Sequence, residues 1–247
     1  YVESAQEALD TVLQAFRVGE GVQLPVLVNL DAFYVSHSLE PVSVPAQAMV
    51  DAYLPAYAPA HRLDPQRPES WGNVVTQDMY YRHRRAVEEA MARVPELAAQ
   101  ADRAWAELCG RSHGVVERYR CDGAATVLLT LGSMAGTARD AVDALRDAGQ
   151  AVGLVKLRLF RPLPVQALRA ALAGVRDVVV LDRNHSPGAG GVLHQELRAA
   201  LYGMADAPRV HGCLAGVGGV NVSPRHITGF VQQALKHPPQ PESQWVR

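Results

Sequence analysis

The chain has 247 residues, 48% hydrophobic and 20% charged, with a formal net charge of −1. That balance excludes a disordered chain, which needs few apolar residues and a strong charge bias, and it gives no whole-chain attraction to nucleic acid or to an anionic membrane surface. The three cysteines, Cys109, Cys121 and Cys213, form no CxxC pair; a disulfide framework, zinc ribbon or iron–sulfur ligation within the chain is therefore not expected, and a reducing, cytoplasmic setting is. The sequence opens on Tyr1 without a basic segment and apolar run, so its start reads as a fragment or trimmed end, not a signal peptide. No apolar run approaches the ~18 residues of a membrane span.

Ser4 followed by Glu7 has capping-box spacing and opens a helix whose apolar stripe is Ala8, Leu9, Val12, Leu13, Ala15 and Phe16, with Gly19 and Gly21 ending it. Pro25–Leu30 reads as a short buried strand, and its end carries Asp31 through Ser38. One helix and one strand are half of an α/β unit, so this piece is expected to need partners. Between Glu40 and Ser70, Pro41, Pro45, Pro55, Pro59, Pro65 and Pro68 exclude a sheet interior and indicate an extended connector. From Tyr80 to Gly110 the apolar positions Val87, Met91, Val94, Ala98, Ala101, Trp105 and Leu108 alternate four and three apart, a heptad seam that packs on its own domain or on another subunit. Pro95 is expected to kink or split it.

The second half is a βαβα series. Strands over Ala124–Leu131, Val152–Leu159, Val175–Leu181 and Arg209–Ala215 alternate with helices starting near Met134, Pro164, Gly191 and Pro224. This predicts a doubly wound parallel sheet with helices on both faces. The tail around Pro238–Pro241 reads as frayed. Three glycine-rich loops fall at the carboxyl ends of strands, where open α/β sheets collect ligands: Gly132–Thr137, Asp182–Gly191 and Gly216–Gly219. Gly132, Ser133, Gly136 and Thr137 form a candidate anion site at a helix start, bounded by helix packing as the plainer role. None of the loops is a P-loop or a GxGxxG turn. Lys156, Arg158 and Arg161 stand where a dinucleotide fold would offer an acid to the ribose. Asp31 and His37 are candidates for holding a loop at an interface or lining a neighbouring site. Ser36-His37 makes no hydrolase elbow, and the nine histidines offer no HExxH or spaced Cys/His ligand set.

The run Leu24 to His37, with Gly132–Thr137, Val152–Pro164, Leu181–Gly188 and Ala215–Gly219 following in order, resembles the α chain of 2-oxoacid:ferredoxin oxidoreductases, closest to the pyruvate enzymes. The resemblance implies the end of a thiamine-pyrimidine-binding domain over 1–42, a Pro-rich connector and helical linker over 43–121, a transketolase-C-terminal-like α/β domain over 122–236, and a tail over 237–247. It also implies a complex that oxidatively decarboxylates a 2-oxoacid on thiamine diphosphate, passes the acyl group to coenzyme A, and sends electrons through [4Fe–4S] clusters to ferredoxin. The diphosphate and Mg²⁺ site would lie on a β chain and the clusters on other chains, with no cofactor held tightly by this chain alone. The chain then looks like an α subunit without its first half. Its role would be structural, within an oligomer of β and other subunits, and inactive in isolation. The rival reading is a non-catalytic partner-binding module built on the transketolase-like domain. Ala32 where the family has Gly, Leu163 for Phe, and Val220-Asn221 for Arg-Asp depart from the family pattern and leave the 2-oxoacid open.

Overall fold

A computed structural model describes residues 1–59 and 61–246. The chain forms two compact units: residues 1–8, 28–42 and 113–247 make one, and residues 9–27 and 43–112 the other.

The first unit is built on a six-stranded sheet. Its strands are β1 (Val116–Tyr119), β2 (Thr126–Thr130), β3 (Val152–Leu157), β4 (Asp177–Asp182), β7 (Arg209–Leu214) and β8 (Gln244–Trp245), ordered β1-β3-β2-β4-β7-β8. Strands β3, β2, β4 and β7 are mutually parallel, as the sequence predicts, and β1 joins β3 antiparallel at the edge. Every residue of β2, β3 and β4 is buried. The continuous apolar runs follow from this, because a strand covered on both faces has no solvent side to alternate with. Leu128, Leu154, Val179 and Cys213 pack on one face beneath α4 (Met134–Asp147) and α7 (Pro224–Ala234). Val127, Leu129, Val178 and Val180 pack on the other beneath α5 (Val165–Ala171) and α6 (Val192–Leu201). A short hairpin pairs β5 (His185–Ser186) with β6 (Gly190–Gly191).

The sheet extends beyond the predicted strands at both edges. The tail is not frayed: Gln244 and Trp245 pair parallel with Cys213 and Leu214, and Ser243 Oγ lies 2.9 Å from His194 Nδ1 and accepts from Gly191 N at 3.2 Å. The run Pro25–Leu30 is not a strand. Leu30 bridges to Val2, and Val26 and Leu27 are exposed, because no neighbouring strand among the described residues reaches them.

The second unit is helical. The helix α1 (Ala5–Val22) begins in the first unit and continues into this one. Its start is as predicted, with Ser4 Oγ accepting from Glu7 N at 3.2 Å and the Glu7 carboxylate accepting from Glu3 N at 2.8 Å. The expected end at Gly19 and Gly21 is not observed. The helix passes through both glycines, and a Cβ on Gly21 would stand 3.6 Å from Leu97 of α3 (Gln77–Cys109), an ordinary packing distance. Its buried face is also not the apolar stripe: Asp10, Gln14, Val18 and Val22 are inside, while Val12 and Phe16 are exposed. The buried polar groups are matched, since Arg111 holds Asp10 through two hydrogen bonds of 2.9 Å and Gln14 Nε2 donates to Asp102 at 3.2 Å.

The Pro-rich connector is not wholly extended. It contains α2 (Gln47–Tyr53), whose Tyr53 is buried edge-on against Trp105 at 5.0 Å and donates its hydroxyl to Ala101 O at 2.9 Å. The helix α3 runs unbroken through Pro95 from a Thr76 cap to Gly110 in the left-handed region. Of the seam, Val94, Ala98, Ala101 and Trp105 are buried and Leu108 is exposed.

Candidate functional site

The parallel strands run β3-β2-β4-β7 in space, so the order reverses between β2 and β4. A crevice forms at such a switch point beside the strands' carboxyl ends. Gly132-Ser133 follows β2 there and Arg183 follows β4. The crevice is occupied by the chain itself, through the loop that begins at Asp31. The Asp31 carboxylate accepts from Ser133 N at 2.8 Å, from Ser133 Oγ at 2.6 Å and from Arg183 Nη1 at 3.1 Å. Gly132 has φ +68°, and a Cβ on it would come within 2.6 Å of Asp31 Oδ2. Glycine is thus required twice over at this turn, for the left-handed backbone and for the carboxylate's approach.

The loop touches all three glycine-rich segments. Val35 N and Ser36 N close it by donating to Asp31 O at 3.1 and 3.3 Å. Tyr34 lies under the Arg183 guanidinium at 4.9 Å and donates its hydroxyl to Gly219 O at 3.3 Å. Arg183 Nε is buried without a hydrogen-bond partner and packs against Gly216, where a Cβ would come within 3.0 Å.

A second carboxylate treats the neighbouring helix start in the same way. Asp182 accepts from Asn184 N at 2.8 Å and from Leu193 N at 2.6 Å, at the first turn of α6. Burial raises the Asp182 pKa even though these N–H groups oppose it. At α7, the Ser223 hydroxyl and His226 form a reciprocal cap. The helix starts that could bind an external anion are therefore met by side chains of the chain.

The candidate residues separate accordingly. Asp31 joins Ser133 at the switch point. His37 is exposed, 2.7 Å from Ser36 Oγ through Nδ1 and beside the Phe33 ring at 4.7 Å. Gly136 and Thr137 lie on the first turn of α4, and a Cβ on Gly136 would stand 3.5 Å from Glu3 Oε1. Sequence reasoning missed Arg183 and Tyr34, which are 152 and 185 residues from their partners Asp31 and Gly219. The strand-end cation Lys156 does not face a ligand. It is 3% exposed and held by Glu3 at 2.7 Å, Glu7 at 2.8 Å and Glu117 at 3.5 Å, and Arg139 pairs with both Glu3 and Glu117. Burial opposes the Lys156 charge, but Glu7 and Glu3 outweigh it and raise its pKa. Burial likewise pushes the Cys213 thiol up to about 12, which leaves it unreactive. Among the described residues no group of three or more His, Cys, Asp or Glu side chains is placed to hold a metal ion. No helix among them is long and apolar enough to cross a membrane.

Comparison with known proteins bears on both units. The thiamine-diphosphate-binding model of pyruvate flavodoxin/ferredoxin oxidoreductase matches residues 1–103, and core domain II of pyruvate:ferredoxin oxidoreductase matches residues 124–227. Pyruvate synthase subunit PorA of Methanothermobacter thermautotrophicus is 42% identical over 235 residues, which cover 94% of this chain and 60% of that subunit. The chain belongs to the α-subunit family of 2-oxoacid:ferredoxin oxidoreductases. Within this family, ketoisovalerate oxidoreductase subunit VorA of Pyrococcus horikoshii is 33% identical over 96% of the chain and 60% of that subunit. The solved 2-oxoglutarate:ferredoxin oxidoreductase from Magnetococcus marinus, with 2-oxoglutarate, coenzyme A and succinyl-CoA bound, is 24% identical over 61% of this chain and 23% of that one, at a TM-score of 0.42. The chain spans about 60% of the length of the family subunits it matches. The first of the resembling motifs lies inside the thiamine-binding match, and the other four lie inside core domain II.

Proposed function

We propose that this chain serves a thiamine-diphosphate-dependent 2-oxoacid:ferredoxin oxidoreductase as an assembling and positioning element, with pyruvate as the substrate. The observation that carries this reading is the Asp31 contact with Ser133 and Arg183. It ties the first family motif, by its own carboxylate, to the turn of the second and the loop of the fourth. The higher identity to a pyruvate synthase subunit than to a ketoisovalerate one favours pyruvate.

In such a complex, thiamine diphosphate with Mg²⁺ would supply the decarboxylation chemistry, coenzyme A would be the acyl acceptor, and [4Fe–4S] clusters would serve electron transfer to ferredoxin. The residues of this chain do not fit the diphosphate, the Mg²⁺ or a cluster. Its helix starts are occupied by Asp31, Asp182 and Ser223, and its cysteines are dispersed along the chain. We assign those groups, and the β and further subunits that hold them, to the rest of a cytoplasmic complex. The role of Gly132 and Ser133 is to seat the Asp31 loop, while Gly136 and Thr137 open α4, with Gly136 beside Glu3. Asp31 and the exposed His37 then fix and face the partner side of that loop.

The test is pyruvate-dependent reduction of a viologen dye with thiamine diphosphate and coenzyme A. The isolated chain is expected to be silent, and its complex with partner subunits active on pyruvate. Replacing Asp31 by Ala in that complex is expected to lower turnover at least ~10-fold, as a misplaced positioning element does. Turnover by the isolated chain, or an unaffected Asp31→Ala complex, would contradict the proposal. Preference for a branched 2-oxoacid would reassign the substrate alone.

A further inference from the structure

We infer that the amino-terminal half of α3 pairs antiparallel with the same helix of a second copy of this chain. The helix has 33 residues, so it is about 50 Å long, and the chain covers only part of it. The apolar stripe over Val94, Ala98, Ala101 and Trp105 is buried. At helical spacing the same stripe continues back through Met91 and Val87 to Tyr80, and this stretch is uncovered. Residues 80–86 are all exposed, Tyr80 and Tyr81 at 57% and 68%, and Val87 and Met91 are half-buried. Ala90 is buried at the point where the cover begins. The two turns before it, residues 80–86, are exposed on every side and are not held in place by packing of their own, and a heptad stripe running past its cover is a surface for another helix.

The charges select the occupant. Arg82, Arg84 and Arg85 are followed one turn later by Glu88 and Glu89. Arg85 pairs with Glu89 on its own helix at 2.9 Å. Arg84 lies on the stripe and Glu88 on its flank, both exposed. A two-fold axis passing near Ala86 sets each Arg84 opposite Glu88 of the other copy and each Tyr81 opposite Met91 of the other copy. A positive block followed by a negative block is complementary to itself when reversed, as an isologous contact requires. This inference concerns the helix alone and does not depend on the proposed reaction.

The experiment is sedimentation equilibrium on the full chain, with helicity checked by circular dichroism. The wild type is expected to be a dimer. Arg84→Glu and Glu88→Arg each place like charges opposite one another twice in a symmetric pair, and each is expected to weaken the dimer at least ~10-fold. The double variant, with both charges exchanged, is expected to return to within ~3-fold of wild type, a recovery that misfolding cannot produce. A monomeric wild type would overturn the inference and leave the stripe to a different chain. A dimer indifferent to both single exchanges, or a double variant that does not recover, would overturn it as well.

Discussion

The strands of the sheet unit and the helices of the other unit differ in how much large apolar surface they leave in solvent. In the sheet, β2, β3 and β4 are sealed on both faces, and among the described residues after His113 the large apolar side chains left in solvent are Tyr202, Val220 and Trp245. In the helical unit, Asp10, Gln14 and Asp102 are inside, while Val12, Phe16, Leu27, Leu63, Trp71 and Val74 are outside. A sheet with helices on both faces can satisfy itself. A helix whose apolar side faces solvent is shaped for something else to cover, and its inner face must be held by matched polar groups.

The largest expected effect probes the sheet unit's internal charges. Lys156→Ala leaves Glu3, Glu7 and Glu117 around an empty, nearly dry position, and breaking a buried pair from one side costs about 3–5 kcal/mol. Urea unfolding of the variant reads this directly, and a loss under ~1 kcal/mol would mean the first eight residues are not anchored by it.

Next in size is Asp177, fully buried at the start of β4. Burial would raise its carboxyl, but hydrogen bonds from Arg209, Arg176 and His211 outweigh this and hold it at about 2. A depressed carboxylate stabilises the folded state above its unfolded pKa, and the contribution is lost as pH falls from near 4 to about 2. Asp177→Asn should therefore cost roughly 2 kcal/mol at neutral pH, and its stability curve should meet the wild type's below that window. Parallel curves across the acid range would refute the assignment.

The smallest effect sharpens the contrast from the other side. Phe16→Ser, at a position 56% exposed, should change the chain's own stability by less than ~0.5 kcal/mol while weakening association with partner subunits in pull-down. A large loss of stability in the isolated chain would place Phe16 in a core and erase the distinction between the units.

The same distinction governs what the sequence made legible. The runs of β2, β3, β4 and β7 were readable because burial on both faces leaves an uninterrupted apolar signature. Val116–Tyr119, a half-buried edge strand with sequence Val-Glu-Arg-Tyr, carries no such signature, and two residues at Gln244–Trp245 are too few for any. Pro25–Leu30 has the composition of a buried strand, but among the described residues it has no strand beside it beyond the single bridge from Leu30 to Val2, so composition and placement part company. The stripe on α1 is legible as apolar, but Val12 and Phe16 on it face solvent, so an apolar pattern there does not mark the buried face. At the switch point the glycine-rich turns were legible, but their occupant was not: Asp31 and Ser133 are 102 residues apart, and no local pattern records such a meeting.

The short strand β8 has a consequence for how the molecule behaves in a crowd. An open sheet ends in a row of unpaired backbone groups, a template on which a stranger's strand can polymerise. Here Gln244 and Trp245 occupy the carboxyl end of that rim on β7, and Pro239 and Pro241, which have no amide hydrogen to offer, flank the cleft beside Arg209 and Val210 at the other. Residues 238–246 thus act as a hem that keeps the fabric from being sewn to its neighbours.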